Sequence, residues 1–146
     1  NNTPSKRWPV ESWIVICENL ISESQGKEIT LELFGTNQDK SLCASIKHSL
    51  PSSLCIDHAG KTSLVELMNH FRQLDVLLCN DSGAMHLANA AGTPVVAIFG
   101  PTDPSITGPI YESTSIAIQS NTADPIESIE PKTVVKEALQ VIGLQV

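Results

Sequence analysis

The feature that most constrains the fold is one run over residues 80–104, NDSGAMHLANAAGTPVVAIFGPTDP. It predicts a strand end, a tight polar loop, an alanine-rich helix over 84–91 closed by Gly92, a buried strand over 94–99 and a second polar loop. Polar loops that follow neighbouring parallel strands lie at the sheet edge where open α/β domains bind ligands. The run therefore predicts an α/β domain with a binding site built on it.

The rest of the chain continues this alternation of helices and strands. Further helices are expected from Pro9 to about residue 22, over 42–50, from a capping box at Ser63 through Phe71, and from Pro131 onward. Further strands are expected over 29–34, 53–57, 75–79 and 115–119. The pattern predicts a doubly wound, Rossmann-like parallel sheet, with residues 1–146 forming one domain.

Charge and length exclude several classes of protein. The chain has 146 residues and a net charge of −7, which argues against non-specific nucleic-acid binding and against an electrostatic membrane anchor. No apolar run is long enough to span a membrane, so we expect no direct membrane insertion. The four cysteines lack C-x-x-C spacing, and we expect buried free thiols in a reducing cytosol. Because the sequence does not begin with methionine, we expect it to be a piece of a longer protein.

The D-S-G-x-x-H block is the strongest candidate for a ligand site. On a helix, Ser82, His86 and Asn89 form one polar stripe, opposite a stripe of small apolar residues. Free backbone N–H groups at the helix start attract phosphate, and Gly83 leaves room for a close approach. The block predicts a diphosphate cradle. A plain capped helix, with Asp81 or Ser82 as N-cap, is the alternative that the pattern leaves open.

Three further positions carry candidate ligand contacts, each with a plain structural alternative. Lys6 precedes a helix start and could serve as a point charge for phosphate, or be a solvated terminal cation. Asp39 could bind sugar hydroxyls, or cap the second helix. Thr102 and Asp103 lie in a proline-bounded loop that could contact a sugar, or form an ordinary turn.

Several short motifs are dismissed on spacing. Residues 59–62 read AGKT, but a P-loop requires glycine where Cys55 stands. The sequence around Ser82 is not a G-x-S-x-G elbow, so Asp81, Ser82 and His86 are not a hydrolase triad. The other three histidines show no metal-ligand spacing to each other or to the cysteines, and no metal site is expected: His48, His58 and His70.

With these residues assembled, the chain resembles glycosyltransferase family 9, the heptosyltransferases of lipopolysaccharide core synthesis. The matching motifs cover nearly the whole chain: Lys6-Arg7-Trp8-Pro9, Phe34-Gly35 with Asp39, residues 59–64, N-D-S-G-x-x-H at 80–86, G-T-P at 92–94 and F-G-P-T-D-P at 99–104. The D-S-G-x-x-H block followed by G-P-T-D-P is the most specific part.

The resemblance implies a GT-B enzyme, in which two Rossmann-like domains face a cleft. This chain resembles the C-terminal, nucleotide-sugar-binding half. The family's C-terminal domain begins with a strand ahead of the Lys6-Arg7-Trp8-Pro9 segment, and this sequence starts after that strand. The catalytic base is an aspartate of the N-terminal domain. We therefore expect no catalytic residue in this chain and no activity from the chain alone.

The resemblance also implies a donor site. Carried over by position, the binding residues are Lys6 for the phosphate and sugar, Asp39 for the ribose, Ser82 and Gly83 for the diphosphate, and Asp81 and His86 beside it. The implied reaction transfers heptose from ADP-heptose, with inversion, to the lipopolysaccharide inner core. It needs no cofactor and no metal in the active site, and the acceptor is reached through the N-terminal domain.

Alternatives of other classes remain at this point. One is a GT-B relative, including an epimerase-like enzyme, that uses another nucleoside-diphosphate sugar; preference for UDP would favour it. Another is a non-catalytic nucleotide-binding module. A dinucleotide oxidoreductase is disfavoured, because no G-x-G-x-x-G occurs. A cytoplasmic location is expected, with peripheral association at the inner face of the bacterial inner membrane left open.

Overall fold

A computed structural model of the chain describes residues 4–24, 26–110, 115–121 and 124–144. The helices are α1 (Val10–Ser22), α2 (Lys40–His48), α3 (Leu64–Phe71), α4 (Gly83–Ala91), α5 (Pro104–Thr107) and α6 (Pro131–Val141). The strands are β1 (Leu31–Leu33), β2 (Cys55–Asp57), β3 (Leu77–Asn80), β4 (Val95–Phe99) and β5 (Ser115–Gln119). Short 3₁₀ turns occur at Pro4–Lys6, Asn37–Asp39 and Ile126–Ser128. The predicted alternation of strands and helices is confirmed.

The strands are parallel and form two separate hydrogen-bonded groups. β1 pairs with β2, and β4 lies between β3 and β5. The sequence predicts one doubly wound sheet, whereas the strands of the described residues form two separate parallel sheets, one of two strands and one of three.

Local signals fix several boundaries where they were predicted. Ser63 and Glu66 form the reciprocal capping box that begins α3, with Ser63 N–H donating to Glu66 Oε2 at 2.8 Å. Gly92 ends α4 in the left-handed conformation, with φ of 83°. α5 was not predicted, because its residues read as an irregular Pro-rich loop. Asp103 caps it and Pro104 occupies its first turn.

The hydrophobic core lies on both faces of the three-stranded sheet. All five residues of β4 are buried, as expected for a strand covered on both faces. One side packs against α1 and α6 through Ile16, Val135 and Leu139; the other packs against α3 and α4 through Phe71 and Met85. All four cysteines are buried and free, as predicted.

Within the ranges that the structure describes, no helix combines the length and apolar character needed to cross a membrane. The loops that matter for function all follow strands at their carboxyl ends. Those after β1 and β2 lead into α2 and α3, and those after β3 and β4 lead into α4 and α5. This edge of the sheet is where the candidate site lies.

Candidate functional site

The loop after β3 fixes Asp81 at the carboxyl edge of the sheet. The Asp81 N–H donates to Ile98 O at 3.0 Å, so its backbone continues the ladder between β3 and β4. Its side chain is almost fully buried and forms an ion pair with Lys6 Nζ. A buried carboxylate requires such a partner, because an unpaired charge away from water is strongly unfavourable.

The start of α4 presents an open helix N-terminus beside this ion pair. Ser82 is the N-cap, in extended conformation (φ −154°, ψ 170°), and its side chain makes no capping hydrogen bond. Gly83 is exposed, and a Cβ there would meet no atom within 4 Å. His86 lies one turn along and is exposed. The first N–H groups of the helix, the Ser82 hydroxyl and the space at Gly83 together form a surface that suits an anion.

Asn89 does not belong to the exposed polar stripe that the sequence predicts for α4. It is buried, and its Nδ2 donates to Ser115 Oγ at the start of β5 over 2.9 Å. The buried residues of the helix are Met85, Ala88 and Asn89. The prediction for Asn89 is wrong because this face packs against the sheet, and a serine there satisfies the amide.

The segment before α1 is anchored against two neighbouring loops. Trp8 is buried and packs edge-on against Trp13 at 5.4 Å between ring centroids. Its backbone N–H donates to Asn80 Oδ1 at 3.3 Å. A Cβ added at Gly100 would lie 2.5 Å from Ser5 O. Only glycine therefore lets the loop after β4 approach this backbone so closely. These contacts anchor the segment that carries Lys6 beside the loop before α4.

Asp39 lies in the loop after β1 and is already engaged on both carboxylate oxygens. Its Oδ2 accepts from Thr36 N–H and Oγ1 at 2.8 and 2.7 Å, and its Oδ1 accepts from Arg7 at 3.0 Å. Burial is the largest influence and opposes ionisation. The Thr36 hydrogen bonds and the Arg7 charge outweigh it, so the pKa of Asp39 lies below the ordinary aspartate value. Asp39 does not cap α2 with its side chain as the alternative predicted; its carboxylate instead completes the capping box that Thr36 begins in the 3₁₀ turn before α2.

Two consecutive cations thus connect two loops. Lys6 pairs with Asp81 after β3, and Arg7 pairs with Asp39 after β1. The segment carrying them contacts loops at the carboxyl ends of strands from both sheets. Four of the predicted site residues therefore share one surface with the start of α4: Lys6, Asp81, Ser82 and Gly83. Asp39 joins them through Arg7.

Thr102 and Asp103 lie in the loop after β4. Asp103 Oδ1 accepts from Ser105 N–H and Oγ at 2.8 and 2.7 Å, so the side chain caps α5, and these bonds lower its pKa. Thr102 O accepts from Gln119 Nε2 at 3.0 Å, and Thr102 Oγ1 is buried and has no hydrogen-bond partner among the described residues. The geometry matches the turn alternative for Asp103, and sugar contact by either residue stays a prediction.

The dismissed motifs have structural explanations, with one exception. Lys61 Nζ donates to Asp57 O at 2.6 Å and Lys61 N–H to His58 O at 3.0 Å, so the AGKT segment closes a local turn, and Gly60 N–H ties it to Gly35 O at 2.8 Å. His58 and His70, however, both contact Glu32, with the three ligand atoms within 4.8 Å of one another. Spacing along the chain gave no sign of this contact, because three separate elements bring the side chains together.

Sequence reasoning left three site residues unassigned. Arg7 was part of the Lys6-Arg7-Trp8-Pro9 motif without a role of its own, although its ion pair with Asp39 ties the segment to the loop after β1. Asn80 and Gly100 were parts of motifs without a role. Asn80 accepts from the Trp8 backbone, and Gly100 permits the approach of Ser5. The sequence signal that could have found Asn80 and Gly100 is their place at the ends of strands, since such positions lie at the edge of the sheet where ligands bind.

Comparison with known proteins shows the family to which this chain belongs. The family model for glycosyltransferase family 9 (heptosyltransferase) matches residues 1–135. The lipooligosaccharide heptosyltransferase 2 of Haemophilus influenzae is 34% identical over 116 residues, which cover 77% of this chain and 32% of that protein.

Solved structures agree with this assignment. The ADP-heptose lipopolysaccharide heptosyltransferase II of Escherichia coli superimposes with a TM-score of 0.84 at 28% identity, over 95% of this chain and 43% of that one. A second E. coli heptosyltransferase, solved with ADP, shares the fold with a TM-score of 0.82 at 19% identity, over 97% of this chain and 42% of that one. The chain thus spans about a third of the length of the curated relative, 32%, and belongs to glycosyltransferase family 9, the heptosyltransferase family.

Proposed function

We propose that this chain is the nucleotide-sugar-binding, C-terminal domain of an inverting GT-B glycosyltransferase that transfers heptose from ADP-heptose to the lipopolysaccharide inner core. One observation carries the proposal: Lys6 is held by a buried carboxylate beside the uncapped start of α4. A cation and free helix amides at one point suit a diphosphate. The relatives named above support heptose as the sugar, and the E. coli enzyme whose name includes ADP-heptose supports ADP as the nucleotide.

Within this proposal, the chain stabilises the leaving group. As the glycosidic bond to the diphosphate breaks, negative charge grows on the phosphate oxygens. An ammonium group has three donors, so Lys6 can keep Asp81 as one partner and offer the others to phosphate. The Ser82 hydroxyl, the Gly83 N–H and His86 belong to the start of α4 and add hydrogen bonds to that charge. In this mechanism no bound cofactor or metal is needed at the diphosphate.

The remaining parts of the proposal assign the residues around the nucleotide. Asp39, fixed by Thr36 and Arg7, accepts a ribose hydroxyl, and Thr102 and Asp103 face the sugar. The catalytic base and the acceptor surface belong to the N-terminal domain. The chain alone is then expected to bind nucleotide without turnover.

Enzyme assays test this proposal. The longer protein that contains this chain is supplied with ADP-heptose and an inner-core lipopolysaccharide acceptor, without added Mg²⁺, and sugar transfer is followed. We expect transfer with inversion by the longer protein and none by the 146-residue chain. Transfer by the chain alone, or transfer only from UDP-sugars, would overturn the proposal.

A further inference from the structure

Three potential metal ligands from separate elements meet between β1, β2 and α3. Glu32 is the central residue of β1, His58 directly follows β2, and His70 lies in the last turn of α3. Glu32 Oε2 is 2.9 Å from His58 Nε2 and 3.2 Å from His70 Nδ1. Among the described residues, these three alone bring histidine, cysteine or carboxylate ligand atoms together in a group of three or more.

Hydrogen bonding does not account for this cluster. Glu32 Oε2 and His58 Nε2 are both buried, and neither atom has a hydrogen-bond partner within the described part of the chain. They are close enough, at 2.9 Å, but they lack the alignment that a hydrogen bond requires. Buried polar atoms are rarely left in this state, because each unsatisfied atom is unfavourable. A shared cation would satisfy both lone pairs.

Phe34 holds the two imidazole rings in place. The His58 ring stacks on Phe34 with 5.1 Å between centroids and 12° between planes. The His70 ring meets Phe34 edge-on at 5.5 Å, and Phe71 packs against another side of Phe34 at 5.3 Å. Phe34 and Phe71 form an apolar wall, which limits the movement of both imidazole rings and excludes water from one side of the cluster. Such surroundings orient metal ligands and strengthen their binding.

We propose that Glu32, His58 and His70 bind a divalent transition metal, with Zn²⁺ the best match. Two imidazole nitrogens and one carboxylate oxygen suit zinc, whereas Mg²⁺ and Ca²⁺ prefer oxygen ligands. Ligands at zinc distances in a tetrahedron lie about 3.3 Å apart, and the contacts at 2.9 and 3.2 Å are close to that value. Three protein ligands leave the fourth position for water.

The metal would act as a clamp on the fold outside the diphosphate site. It ties β1, the loop after β2 and the end of α3 to one another. None of the three ligands is among the residues proposed to bind the donor. The metal site and the donor site therefore make separate predictions, and one can fail while the other holds.

Cobalt spectroscopy tests the proposal on the intact chain. Co²⁺ is titrated into the protein, visible absorption is recorded, and Zn²⁺ is then added in competition. We expect one equivalent of Co²⁺ to give the intense bands of four-coordinate cobalt and Zn²⁺ to remove them. Near-ultraviolet bands of cobalt bound to thiolate would instead assign the metal to cysteines and overturn the proposal. Absence of any bands at one equivalent would also overturn it.

Substitutions identify the ligands. Glu32→Gln and His70→Ala should each weaken Zn²⁺ binding by about tenfold or more, since even changes around a metal ligand lower affinity this much. His48→Ala is the matched control, because His48 is exposed on α2 and lies outside the cluster. Unchanged affinity in both cluster variants contradicts the proposal.

A measurement on the unsubstituted protein covers variants that fail to fold. Imidazole ¹⁵N shifts should move on Zn²⁺ addition at His58 Nε2 and His70 Nδ1, while those of His48 and His86 stay. The melting temperature of the wild type should rise with Zn²⁺. Shifts confined to the other two histidines would exclude the cluster as the site.

Discussion

Lys6 and Asp81 lie 75 positions apart in the sequence and form an ion pair in which 7% of the Asp81 side chain is exposed. The pair joins the segment before α1 to the loop before α4. It places an ammonium group beside the first turn of a helix whose N-cap serine makes no capping bond. The same contact therefore anchors the segment to this loop and, in the proposed function, positions a cation for an anionic ligand.

Replacing Lys6 should affect both stability and binding. Lys6→Ala leaves the Asp81 carboxylate without its partner, which should lower the free energy of unfolding by about 1–3 kcal/mol. It should also weaken ADP binding by about tenfold, the loss expected for one charge-assisted hydrogen bond. Urea denaturation and calorimetric titration measure the two effects. Lys132→Ala, an exposed lysine on α6, is the control. Equal ADP affinity in both variants would remove Lys6 from the site.

Gly83→Ala separates ligand binding from folding. An added Cβ meets no atom within 4 Å, so the free energy of unfolding should change by less than about 0.5 kcal/mol. If a diphosphate lies against this residue, the methyl group should lower ADP affinity by about tenfold or more, because close backbone approach is blocked. ADP affinity is measured at matched protein stability. Full retention of affinity would show that the phosphate does not contact Gly83.

Gly100→Ala, unlike Gly83→Ala, should lower the stability of the fold. Its Cβ would lie 2.5 Å from Ser5 O and 3.3 Å from Ile126 Cβ, so backbone must move. We expect a loss of about 1–3 kcal/mol in the free energy of unfolding, the usual range for overpacking. Gly83→Ala serves as the control in the same denaturation series. Equal stability of the two variants would mean that the segment is not held against this loop.

The pH dependence of stability should include a contribution from Asp39. Its folded-state pKa is lowered, so its stabilising contribution is complete above the ordinary aspartate pKa and is lost as pH falls through the lowered value. Asp39→Asn should remove about 0.5–1.5 kcal/mol near neutral pH, and the difference from wild type should shrink in acid. Denaturation across pH measures this, with exposed Asp75→Asn as control. A difference that grows as the pH falls would contradict the assignment.

Sequence periodicity and local signals were sufficient to predict most of the helices and strands. The capping box at Ser63, the left-handed stop at Gly92 and the buried run of β4 are local, and each appears where it was predicted. The short helix α5 was missed because two prolines suggested a loop. Proline favours the first helical turn, however, and Asp103 provides the cap.

The site was only partly predictable, since its decisive contacts are tertiary. The family motifs predict Lys6 and Asp81 as site residues, but nothing in their spacing shows that they pair. Asn89 falls on the same helical stripe as Ser82 and His86, so its spacing predicts an exposed side chain. Its burial depends on tertiary packing, in which it donates to Ser115. The cluster of Glu32, His58 and His70 was the least predictable feature, because three separate elements contribute one potential metal ligand each.

The central claim is that a nucleoside diphosphate binds where Lys6 meets the start of α4, with ADP preferred. Backbone amide shifts of the isotope-labelled chain, titrated separately with ADP, UDP, GDP and inorganic phosphate, test it most directly. The account predicts saturable shifts at Lys6, Ser82, Gly83 and His86 that are strongest with ADP. A folded chain in which ADP leaves these four amides unmoved, or in which UDP moves them more than ADP does, would contradict it.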